Sequence, residues 1–124
     1  MLHARVLKSP YPHARVKSID VSGAEELGAT VVTFKETPQV RYCPRLVSVP
    51  SATYKDWLVL TGKPKYVGEP IAAVAAETEE LAQRALESIK VEYERLEAAF
   101  DAEDSMGMKD LIHEEIELED TATP

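Results

Sequence analysis

The chain has 124 residues, 44% hydrophobic and 29% charged, which suits one domain with one core and excludes a multidomain enzyme within this polypeptide. Acidic side chains outnumber basic ones 22 to 14, but residues 1–100 hold 13 of each, so the net charge of −8 belongs entirely to residues 101–124. A balanced body offers no basic face to neutralise a row of phosphates, which excludes a nucleic-acid partner. No apolar run nears the roughly 20 residues of a bilayer span and no signal-like leader is visible, so no membrane partner and a cytoplasmic location are expected.

Leu2 to Lys8 reads as a strand, with Leu2, Ala4 and Val6 on one face, and Ser9-Pro-Tyr-Pro12 forces a turn because two prolines remove donors and fix φ. Ala14 to Val21 resumes an extended pattern whose apolar parity changes between Val16 and Ile19, the mark of a bulge. Ser22-Gly-Ala-Glu25 matches a capping box and Gly28 suits a left-handed stop, predicting a helix of barely two turns before a strand over Thr30 to Phe34. From Lys35 to Lys55 periodicity is lost among Pro38, Pro44 and Pro50, predicting a long loop with one short strand at Leu46 to Val49. Trp57 to Leu60 and Lys65 to Val67 read as further short strands, with Pro64 favouring an edge.

The clearest unit follows. Ile71 to Ala76 is continuously apolar, as in a strand covered on both faces. Thr78 caps a helix whose first turn carries Glu79 and Glu80, and Leu81, Ala82, Ala85, Leu86 and Ile89 form one stripe at helical spacing. Lys90 to Glu94 then alternates as a strand, predicting a right-handed strand–helix–strand crossover. Phe100 is expected to close the core before a short helix capped by Asp101. The pattern predicts an α+β fold with a mixed sheet, one main amphipathic helix and a β-α-β unit, over residues 1–112. Residues 113–124 read as an acidic tail or connector.

Reactive groups are sparse. His3, His13 and His113 share no paired-ligand spacing and read as a strand, a turn and a tail residue. Cys43, the single cysteine, excludes an intrachain disulfide; Arg41 and Arg45 beside it are of the kind that lowers a thiol pKa, yet no base accompanies it. Val67-Gly-Glu-Pro70 lacks the further glycines and Lys-Ser/Thr of a phosphate cradle, and Glu69 has no carboxylate or histidine at a pairing distance in the sequence. The run His113 to Asp120 lacks the Gly turn and alternating ligands of a calcium loop. No catalytic, cofactor-binding or metal residue is therefore assigned.

Several stretches, in order, resemble a known family: Leu2 to Val16 with its Ser-Pro-Tyr-Pro-His-Ala turn, Ser18-Ile-Asp20, Tyr66 to Thr78 with Gly-Glu-Pro before an Ala/Val strand, and Val91-Glu-Tyr-Glu94. They resemble the α/β hammerhead domain near the N-terminus of the molybdenum-binding large subunit of the xanthine dehydrogenase, aldehyde oxidase and carbon monoxide dehydrogenase family, over about residues 2–115. The resemblance implies an oxidoreductase assembly that hydroxylates aldehydes or N-heterocycles, or oxidises carbon monoxide, at a molybdenum–molybdopterin centre and passes electrons through iron–sulfur clusters to FAD. The family's pterin-contacting and catalytic segments lie downstream of this domain, so no cofactor is expected on this chain alone. Its implied partners are the molybdopterin-binding remainder of the large subunit and the iron–sulfur subunit.

Two roles follow. The first is a non-catalytic structural domain of such an enzyme, whether fragment or separate small chain, inactive alone and carrying an exposed apolar patch that in isolation would support a homodimer. The alternative is a stand-alone interaction module that keeps the fold without redox activity and uses the 35–55 loop as its contact surface. A small thiol enzyme using Cys43 is the remaining reading.

Overall fold

The computed structural model describes residues 1–42 and 57–107. Its elements are β1 (His3–Lys8), β2 (Ala14–Asp20), α1 (Ser22–Glu26), β3 (Thr30–Thr33), β4 (Pro70–Ala76), α2 (Glu79–Ser88), β5 (Lys90–Arg95) and α3 (Ala102–Ser105). The strand expected at Leu46 to Val49, Cys43 and the tail from His113 lie outside the described residues.

The apolar β4 takes the centre of a three-stranded sheet, between β1 and β3, while β2 and β5 form a separate two-stranded sheet. All these pairings are antiparallel: His3 faces Ala76, Thr30 faces Ala75 and Ala14 faces Arg95. The α+β class and the single main helix stand as expected. The strand–helix–strand unit, however, joins two sheets instead of crossing within one, because β5 pairs with β2. The parity change in β2 is a true register shift between Val16 and Ser18.

The helix α2 forms for the anticipated reasons: Thr78 Oγ1 accepts from the N–H of Leu81 at 3.1 Å, and Glu79 and Glu80 occupy the first turn. Its small residues Ala82 and Ala85 are fully buried, which lets the helix lie close against β1 and β4. They join Ala24, Ala29, Val74, Ala76 and Ile89 in the core, with Leu7, Ile19, Val31 and Val91 packed around them, so strands of both sheets share one apolar centre. Asp101 caps α3 as expected, its Oδ1 accepting from Glu103 N–H at 3.1 Å.

Three further expectations are corrected. Phe100 does not close the core: it is 91% exposed, beyond the end of the last packed strand. Around α1 no capping box forms, since Ser22 instead donates its hydroxyl and backbone N–H to Asp20 Oδ1, at 2.6 and 3.0 Å, and Val21 stands at the N-cap with no side-chain bond. Gly28, at φ 84°, does end that helix. The segments at 57–60 and 65–67 are not strands; apart from a bridge between Trp57 and Tyr42, the chain there runs irregularly past β2, where the carbonyls of Gly62 and Pro64 accept from the N–H groups of Val16 and Ala14. The inward face of β1 is the one that carries Arg5 and Leu7. Leu7 reaches the core and Arg5 pairs with Glu79 of α2, leaving Leu2 and Val6 exposed.

Candidate functional site

Three features stand apart from the ordinary core: a knot of buried polar groups where three loops meet, a sheet face with two uncharged rows open to solvent, and a cluster of aromatics.

The knot grows from the Ser-Pro-Tyr-Pro turn. Ser9 is buried; its hydroxyl donates to the carbonyl of Tyr11 at 2.9 Å, closing the turn locally. Its backbone N–H donates to the carbonyl of Glu69 at 3.0 Å and its carbonyl accepts from Gly68 N–H at 2.8 Å, so the turn is clamped to the Gly-Glu-Pro loop. Gly68 holds φ 95°, a left-handed conformation that bends the loop back to reach Ser9. The carboxylate of Glu69, only 5% exposed, accepts from Lys65 N–H, which fixes the same loop from within. Glu69 is thus a tie between backbone segments.

His13 is 3% exposed. Its Nδ1 lies 3.0 Å from the carbonyl of Glu97, and since a carbonyl only accepts, Nδ1 donates; Nε2 is buried without a hydrogen-bond partner. The carbonyl of His13 accepts from Leu96 N–H, so both ends of this residue pin the chain that leaves β5. Nearby, Tyr11 meets Tyr93 edge-on at 5.2 Å and carries the Arg95 guanidinium over its ring at 4.9 Å. Burial, with Tyr11 adjoining, pushes the Tyr93 hydroxyl pKa up.

His3 sits partly buried on β1, and His113, Cys43 and Arg45 lie outside the described residues. Among the described residues no three His, Cys, Asp or Glu side chains group as a metal-binding set, and no helix is long and apolar enough to cross a membrane. An open groove is lined by Arg5, Glu79, Glu80 and Gln83. Its one cation already holds Glu79 at 2.6 Å and its other charge is a second carboxylate, so these donors do not fit a phosphorylated pterin.

The second region is the sheet face turned away from α2. Across it run two rows set by register: Ala4, Ala75 and Thr30 in one, Val6, Ala73 and Val32 in the next. Val6 and Val32 are 42% and 37% exposed, and no member of either row is charged. The alternation along β1 shows this apolar face in the sequence but not that it points outward. A third feature has no sequence signal: the Trp57 ring lies 5.7 Å from that of Tyr66 and its backbone bridges Tyr42, gathering three half-exposed aromatics from separate stretches of the described residues. Tyr66 is raised in pKa, first by burial, then by the charge of Glu69.

Comparison with known proteins decides the family. A family model described as "Aldehyde oxidase and xanthine dehydrogenase, a/b hammerhead domain" matches residues 1–97. The chain belongs to that family. This hammerhead domain is 41% identical over 99 residues to a probable xanthine dehydrogenase subunit of Bacillus subtilis, covering 78% of the chain and 12% of that protein. It is 36% identical over 114 residues to a probable hypoxanthine oxidase of Escherichia coli K12, covering 90% and 12%. Its fold matches the aldehyde oxidoreductase of Desulfovibrio gigas with a TM-score of 0.72 at 28% identity, over 90% of this chain and 13% of that one. The domain therefore spans about an eighth of the length of these three proteins, and the buried ties around Ser9, Gly68 and Glu69 fall within the matched residues.

Proposed function

We propose that this chain serves as the structural, non-catalytic hammerhead domain of a molybdenum hydroxylase, packing against the molybdopterin-binding remainder of the large subunit and the iron–sulfur subunit. The observation that carries this reading is the asymmetry of the match: 78–90% of the chain corresponds to about an eighth of each of these three proteins. The complete assembly would oxidise aldehydes, purines or related substrates in the cytoplasm, with molybdenum–molybdopterin, iron–sulfur clusters and FAD held outside this chain. Its own residues supply rigidity: Ser9, Gly68 and Glu69 lock the two loops, and His13 fastens the exit of β5. Residues 1–112 form the domain and 113–124 an acidic connector in this reading.

Replacing the matching segment of the Bacillus subtilis protein with this chain tests it. The chimera, assembled with its companion subunits, is expected to load molybdenum and oxidise xanthine with a dye acceptor, while this chain alone gives no turnover. Oxidation of xanthine or an aldehyde by the solitary chain overturns the reading, as does a folded chimera that fails to load the metal.

A further inference from the structure

We propose that the outer face of the β1–β4–β3 sheet is the surface on which this domain seats against the molybdopterin-binding remainder of its own large subunit; this rests on the function proposed above.

The register places Ala4, Ala75 and Thr30 beside Val6, Ala73 and Val32 on one side of the sheet, with Leu2, 61% exposed, continuing it. The described elements that pack on this sheet, α1 and α2, lie against its opposite side, through Val74, Ala76, Val31 and Leu7. Exposed sheet faces and edges of free-standing proteins carry charges that keep other chains away; these two rows carry none. Three alanines at the centre of the patch let a neighbouring backbone come close, and the valines either side give it relief.

Size chooses the occupant. A stable interface between separate molecules engages roughly 20–30 residues a side, far more than these rows contain, so a second copy of this chain and a separately folded subunit are poorly served by it. A neighbour in the same polypeptide is held at high effective concentration and needs far less buried area. In the relatives, the matched segment belongs to a chain about eight times longer, so such a neighbour is present there. An uncharged contact between permanently joined domains resembles a core cut in half, which is the composition found here.

Hydroxyl-radical footprinting with mass spectrometry, applied to the isolated 124-residue chain and to the Bacillus subtilis chimera, reads the face directly. Oxidation of Leu2, Val6 and Val32 is expected in the isolated chain and lost in the chimera. A second variant, Val32→Glu, is expected to leave the isolated chain's melting temperature unchanged but to lower the yield of molybdenum-loaded chimera by about tenfold, because the carboxylate would be closed off unpaired. A chimera that loads molybdenum while Val6 and Val32 stay fully oxidisable overturns the docking face and leaves the functional reading intact. A folded chimera that loads no metal overturns both. An isolated chain that sediments as a dimer with these valines protected assigns the face to a second copy and overturns the proposal.

Discussion

Single residues at the loop knot matter through space and backbone conformation. A Cβ added at Gly62 would lie 2.7 Å from Phe34 Cε2, so Gly62→Ala must displace that ring from its site; it is expected to destabilise the fold by about 1–3 kcal/mol in urea unfolding. At Gly68 there is open space, so Gly68→Ala isolates the backbone effect of φ 95° and is expected to cost about 1–2 kcal/mol in the same measurement. Two carboxylates contribute to the acid limb of stability. Asp20 and Glu36 are both held below their ordinary pKa, first by side-chain hydrogen bonds from Ser22 and Thr33 and then by the backbone N–H groups of those residues. A folded-state pKa below the unfolded one gives stability that is present above the ordinary carboxylate range and lost as pH falls through the lowered value. The double variant Asp20→Asn, Glu36→Gln is therefore expected to melt lower than the parent near neutral pH and to converge with it in acid, a comparison that thermal scans across pH provide. None of these roles is legible in the sequence: the residues around Gly62 read only as the gap between two short strands, and Asp20 reads as part of the extended run to Val21 when in fact it holds the serine that a capping box would have used.

At the level of elements, α2 is the most legible because local chemistry and tertiary demand agree along its whole length. Thr78→Ala is expected to cost about 1 kcal/mol by removing the acceptor for Leu81 N–H, and Ala82→Leu about 1–3 kcal/mol by forcing the helix off β1 and β4; chemical denaturation of each variant measures both. The strand β1 is half legible. Alternation divides it into two faces, Leu2-Ala4-Val6 and His3-Arg5-Leu7, and apolarity alone favours burying the first. The structure buries the second because Leu7 reaches the core and Arg5 spans to Glu79 along the helix surface. That ion pair, exposed on both sides, contributes at most about 1 kcal/mol, so it aligns the strand more than it stabilises it. The short stretches around Trp57 and Lys65 resemble strands in composition but make only scattered bonds to β2, since Pro64 and Gly62 offer carbonyls without a regular ladder.

For the whole molecule, the order of motifs announces the family and the α+β class, while strand pairing stays hidden, because register depends on partners far away in the chain. The split into two sheets illustrates this: local pattern makes β4, α2 and β5 look like a crossover within one sheet, whereas β5 pairs with β2 from the other end of the sequence. The same pairing governs how the protein comes into being. His3 waits for Ala76, and Ala14 for Arg95, so on a ribosome the three-stranded sheet cannot close until Ala76 has emerged, nor the two-stranded sheet until Arg95 has. During that interval the apolar side chains of β1 and β2 have no sheet to join, which makes the nascent N-terminal half a natural client for chaperones and the stage at which aggregation competes most strongly with folding.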